Sequence, residues 1–292
     1  MTEMGKIDNI IARLPHSADK DEVRITDLIQ SELLRTEWSR ELFKKMRQLQ
    51  IDFFRSAIQH LEDPELLHLL NQQLLERLAQ ESNSTIVSGK ENLTGVKTPL
   101  MIATNHLGDY KLCTIKPAEL NLDLLTDQIH PFSMYYAPYS PIAEQLKTEV
   151  SAAHIALLEP LHSIEKACRL VTIIVNKSGG GLKDLEGQTK LLFDKYPNTV
   201  LVIFPEGGTS GKRNQGGPYD LEEFHAGAFV IASNLGVSVL PVAKYFNPNR
   251  GYEIGILPPI SPEKDRDRDY YQKIASTTQK DLQTWLDRQK GS

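Results

Sequence analysis

The sequence predicts an α/β protein, a mostly parallel central sheet flanked by helices, with an N-terminal helical bundle or cap. Apolar runs of strand character recur at 99–104, 171–175, 199–204 and 237–242. Segments of helical periodicity separate them, and that alternation is what βαβ units and a parallel sheet produce. Before residue 85 the apolar residues instead follow a helical period without a strand-like run. The predicted organisation is therefore a helical unit over 1–84 and an α/β unit over 85–292.

In the first unit Ile51, Phe54, Ile58 and Leu61 gather on one helix face. Asp63 and Pro64 then supply an N-cap and a proline at the first helical position. Leu66, Leu67, Leu70, Leu74 and Leu78 carry an amphipathic stripe to about Gln80, and the polar run 81–84 breaks it. The second unit opens with a short strand and turn at 85–89 and a buried strand at 99–104. A helix is expected to start at or just after His106. Strands follow at 132–136 and 171–175, with a helix at 141–150 between them. A helix over about 182–196 leads to the strand at 199–204. The helix at 224–235 is stopped by Gly236. Strands at 237–242 and 252–257 and a polar helix at 268–289 complete the chain.

Composition narrows the class of function. With 33 Lys and Arg against 38 Asp and Glu, the net charge of -5 gives no global reason to bind nucleic acid. No apolar run reaches the roughly 18–20 residues of a membrane span. The first residues lack the basic-then-apolar order of a secretion signal. Two cysteines, Cys113 and Cys168, are too few for a disulfide framework, and the eight histidines show no paired metal-ligand spacing. The expectation is a cytoplasmic protein without a metal.

Two strand ends carry the chemistry, since reactive groups in open α/β sheets sit where strand carboxyl ends meet loops. Asn105-His106-Leu107-Gly108-Asp109 places a carboxylate three residues after a histidine. On a helix these are neighbours, so Asp109 orients the His106 imidazole and leaves its other nitrogen to act as a base. The alternative is that Asn105 ends the strand and the rest forms a helix-start cap. At the second end, Phe204-Pro205-Glu206-Gly207-Gly208 presents backbone amides at a tight turn. Thr209, Ser210, Lys212 and Arg213 follow within reach of a phosphate or an oxyanion. Glu206 either holds an acceptor hydroxyl or braces the loop. A glycine-rich turn with a solvated basic tip is the alternative here. The order of a nucleotide P-loop is absent. A third strand end, 175–181, sets Lys177 beside three glycines, either as a phosphate contact or as a flexible connection.

In this order the motifs resemble the glycerolipid and lysophospholipid acyltransferase superfamily. The residues that carry the resemblance are Asn105-His106, Ile174-Val175-Asn176-Lys177, Phe204-Pro205-Glu206-Gly207 and Leu240-Pro241-Val242. The run 224–237 is similar to the family's helix between the last two blocks. The similarity spans roughly 87–258. Two positions depart from the pattern. The family's Asp falls five residues after the His, where this chain has Lys111, so either Asp109 stands in from three residues away or the pair is incomplete. The family's block carries an Arg associated with the acceptor's phosphate where this chain has Thr209, with Lys212 and Arg213 nearby.

The resemblance implies metal-independent acyl transfer from acyl-CoA or acyl carrier protein to a hydroxyl, with a glycerolipid precursor as one acceptor. It implies His106 and Asp109 as the catalytic pair. Asn105, Lys177, Glu206, Gly207, Gly208, Thr209, Ser210, Lys212 and Arg213 are then the substrate-binding set. Backbone amides near Gly207 and Gly208 are expected to hold the oxyanion. Phe132, Met134, Tyr135, Tyr136 and Tyr139 are candidates to line an acyl slot. The helical N-terminal unit would cover that slot, dock a carrier protein or touch a membrane surface peripherally. Two alternatives stand beside this: transfer to a specialised-metabolite alcohol or amine, and a catalytically inactive homologue that binds acyl chains or lipid.

Overall fold

The computed structural model describes residues 85–107, 133–138, 172–174, 181–195, 199–207, 210, 211 and 213–291, with Pro197 and positions scattered over 35–83. Among the described residues seven strands form one sheet. They are β1 (Thr85–Ser88), β2 (Leu100–Thr104), β3 (Ser133–Pro138), β4 (Thr172–Ile174), β5 (Thr199–Ile203), β6 (Val239–Asn247) and β7 (Gly251–Ile256). Their order across the sheet is β1-β7-β6-β2-β5-β3-β4. Helices α1 (Gly181–Lys195), α2 (Gly227–Leu235) and α3 (Arg268–Lys290) accompany them. The architecture is α/β.

The sheet is mixed, which corrects the expectation of a mostly parallel one. β2 runs parallel to β5 and β6, and β1 to β7. β3 is antiparallel to both β4 and β5, and β6 to β7. The β6–β7 reversal has a local cause. Three turn residues, Pro248 to Arg250, join these strands, and so short a link can only close an antiparallel pair.

At the centre lie the parallel strands β6, β2 and β5, whose carboxyl ends open on the same edge. Alternation sorts their side chains between two faces. Leu100, Ile102, Val200, Val202, Leu240 and Val242 share one face with Ile254 and Ile256 of β7, all buried. On the opposite face Gly255 receives α3. A Cβ at Gly255 would come within 2.2 Å of the Trp285 ring, so only glycine allows the indole to lie on the strand. Trp285 Nε1 then donates to Ser88 Oγ at 2.7 Å, tying α3 to the edge strand β1. α2 buries Ala228, Phe229, Ile231 and Ala232 and ends at Gly236, whose φ of 68° is the left-handed stop expected from sequence. α3 starts at Asp267, whose side chain accepts from Tyr270 N at 2.8 Å.

In the N-terminal unit, the described positions 37–39, 41, 42, 45, 56, 66, 73, 77 and 81 are helical. Leu66 N donates to Asp63 Oδ1 at 3.0 Å, the bond expected of an N-cap. Trp38 stacks on Phe246, and Thr36 Oγ1 donates to the Pro248 carbonyl at 2.6 Å, so this segment meets the far end of β6. The helix expected at 141–150, and the stripe residues other than Leu66, lie outside the described residues. No helix among the described residues is long and apolar enough to cross a membrane.

Candidate active site

The two motif-bearing loops leave neighbouring parallel strands, β2 and β5, paired from Leu100–Val200 to Ala103–Ile203. Both chains therefore emerge side by side at the sheet's carboxyl edge. Asn105 is the first residue past β2, and its amide behaves as an extra strand residue toward β6. Its Nδ2 donates to the Lys244 carbonyl at 3.0 Å, and its Oδ1 accepts from Lys244 N at 2.7 Å. Both pairings are buried, where an unmade bond is costly. His106 follows, 1% exposed, its ring 4.9 Å from that of Phe204. Residues 105–107 are not helical, so His106 precedes any helix that follows, and the helical spacing expected to set Asp109 against its imidazole does not apply.

Glu206 joins the loops. Its carboxylate is fully buried and accepts three bonds of 2.8 Å each. His106 N and Ser210 Oγ reach Oε1, and Glu222 N reaches Oε2. The His106 carbonyl in turn accepts from Ser210 N at 3.1 Å. Of the two roles open for Glu206, this geometry is that of a brace: both carboxylate oxygens are occupied by the protein. Burial raises its pKa from 4.5 to about 7; the three donated hydrogen bonds oppose that rise, and the nearby Glu222 carboxylate adds to it.

Around this brace the turn closes on itself. Gly207 has a φ of 62°, a conformation that favours glycine. A Cβ there would also press on the His225 imidazole at 3.2 Å. The Gly207 N–H donates to the Phe204 carbonyl at 3.0 Å. It is thereby taken by the turn, while the Gly208 amide expected to act beside it on an oxyanion lies outside the described residues. The exposed Arg213 returns its Nη2 to the Glu206 carbonyl at 2.7 Å. Its backbone N–H and that of Asn214 donate to the Glu222 carboxylate. His225, exposed on the outer side, donates its backbone N–H to the Pro205 carbonyl at 2.9 Å.

The structure thus brings Asn105, His106, Glu206, Gly207, Ser210 and Arg213 into one cluster. Asp109, Lys177, Gly208, Thr209 and Lys212 lie outside the described residues, as do the side chains proposed for an acyl slot. Two residues not picked out from sequence belong to the cluster. Lys244 is fully buried, with its Nζ 5.1 Å from the centroid of Phe204, on whose ring His106 also packs. Its signal in the sequence is a lysine interrupting the apolar stretch Leu240–Phe246. His225 shows no comparable signal; only the fold sets it against Gly207. No group of His, Cys, Asp and Glu among the described residues is arranged to hold a metal ion.

No family model, curated protein or solved structure matches the chain.

Proposed function

We propose that the chain is an acyltransferase that moves a fatty acyl group from an acyl thioester to a hydroxyl or amine acceptor. The donor is acyl-CoA or acyl carrier protein, and a glycerolipid precursor is one acceptor class, with a specialised-metabolite alcohol or amine as the alternative. One observation carries the reading. An imidazole stands at the carboxyl end of β2, its main chain locked to the Glu206 carboxylate at the end of the adjacent β5. Asn105-His106 and the Glu206 turn, 100 residues apart in sequence, become a single buried constellation.

In the proposed reaction His106 takes the acceptor's proton as the acceptor oxygen or nitrogen attacks the thioester carbonyl carbon. The carbonyl π electrons move onto its oxygen. Collapse of this adduct breaks the C–S bond, and the imidazolium returns the proton to the departing thiolate. The products are the ester or amide and a free thiol. Asp109 is the proposed orienting carboxylate. His106 is buried against the Phe204 ring, which also carries the buried Lys244 ammonium over its face. The proposed setting is the cytoplasm or the face of a membrane.

Thiol release is the test. Octanoyl-CoA and octanoyl carrier protein are offered with glycerol 3-phosphate, glycerol and octylamine as acceptors. Wild type is expected to release thiol only with an acceptor present. His106→Ala, checked for folding by urea titration, should lose about 10²–10⁴-fold in rate, the usual worth of a general base. Turnover undiminished in His106→Ala would overturn the proposal.

A further inference from the structure

The reaction above leaves unassigned the groups that hold the carbonyl oxygen while it is negative. Two buried polar side chains, those of Thr104 in β2 and Lys244 in β6, lie on neighbouring strands toward their carboxyl ends. In β2 the residues 100, 102 and 104 share one face of the sheet by alternation, and Leu100 and Ile102 pack in the core there. Thr104 ends that row. Its Oγ1 is buried and has no hydrogen-bond partner among the described residues. Valine would fill the same space without leaving a hydroxyl unsatisfied, so a threonine at this position needs a reason. In β6 the matching row runs Leu240, Val242, Lys244, and Thr104 pairs with Val242 across the ladder. Lys244 lies one step beyond, beside Asn105, which clamps its backbone from both sides. Its Nζ and the His106 imidazole flank the same Phe204 ring. Meanwhile the Gly207 amide is occupied by its own turn.

We propose that Thr104 Oγ1 and Lys244 Nζ form the pocket that receives the negative charge on the acyl carbonyl oxygen. This rests on the acyl-transfer reading. As the acceptor–carbon bond forms and His106 takes the proton, the carbonyl electron pair settles on oxygen. The Thr104 hydroxyl and the Lys244 ammonium donate hydrogen bonds to it. Both are released when the C–S bond breaks and the carbonyl reforms, so neither side chain gains or loses a proton. Asn105 is then a positioning residue that fixes Lys244 in register with His106.

The experiment measures thiol release from octanoyl-CoA with the same three acceptors, in wild type, Thr104→Val, Thr104→Ser and Lys244→Met. Removal of one such donor should cost about 10²-fold in kcat. KM for octanoyl-CoA should stay within about twofold, because the lost interaction belongs to the transition state. Thr104→Ser should keep most of the rate. Thr104→Val should melt no lower than wild type, since it removes an unsatisfied buried hydroxyl, and this separates its effect from misfolding. A wild-type kcat in Thr104→Val, or in a folded Lys244→Met, would overturn the pocket alone. An absence of His106-dependent thiol release in wild type would overturn the acyl-transfer reading and the pocket with it.

Discussion

A carboxylate that accepts three hydrogen bonds ordinarily titrates low, because each donor favours the charged form. Glu206 has those three donors, yet its pKa lies at about 7, because complete burial outweighs them. The consequence for stability has a definite sign. The folded protein binds this proton more tightly than the unfolded chain, whose value is near 4.5. The contribution is full below about pH 4.5 and is lost as pH rises through 7. The gap between 4.5 and about 7 corresponds to about 3 kcal/mol. Unfolding in urea at pH 5, 6, 7 and 8 should show wild type losing stability relative to Glu206→Gln across this series, whatever the offset between them. Parallel curves would show that Glu206 does not titrate there. At this scale the sequence was informative about residue type and silent about use. Glu206 stood out because a carboxylate follows an apolar strand and precedes glycines, but bracing and substrate binding are indistinguishable until its three donors are seen. Lys244 did not stand out, since a lysine amid apolar residues does not by itself say whether it is solvated. It is buried because β6 runs on to Asn247, held by Asn105 on one side and β7 on the other.

At the scale of elements, apolar runs located the strands well, and direction was what they did not encode. A run such as Thr199–Ile203 is equally apolar whichever way its neighbours point, so β3 against β5 was invisible, while the reversal into β7 is imposed by a short turn. Punctuation was more legible: Gly236 ends α2 and Asp63 caps the segment at Leu66 because each acts through its own backbone neighbourhood. The docking of α3 was not legible, because it depends on a glycine and a tryptophan 30 positions apart. A Cβ at Gly255 would sit 2.2 Å from the Trp285 ring, so Gly255→Ala must push the helix off the sheet or turn the indole and strain its bond to Ser88. Overpacking of this kind should cost about 1–3 kcal/mol in urea unfolding. The cost should shrink in a Trp285→Leu background, since both changes act on one contact. Equal costs in both backgrounds would mean that Trp285 is not what excludes the methyl group.

For the whole molecule the question is whether the site is an appendage or part of the core. Catalytic loops usually open more readily than the scaffold that carries them. Here the loop is pinned from several sides. Glu206 holds the amides of His106 and Glu222, His106 and Ser210 are joined through the backbone, and Asn105 is laced into β6. All of these attach to β6, β2 and β5, the buried centre of the sheet, so freeing His106 requires breaking bonds that also secure those strands. The amide of His106, although outside any strand, should therefore exchange with solvent about as slowly as that of Ile102. Amides of the edge strand β1, whose residues are largely exposed, should exchange faster. Native-state hydrogen exchange along a urea series would test this directly. If the His106 and Ile102 amides converge on one opening free energy, the strand ends and the loop unfold as a single unit. If His106 exchanges through a low-energy opening that urea barely accelerates, the loop moves on its own. In that case the Glu206 brace is too weak to hold the imidazole in place, and the preorganisation assumed for the base is lost.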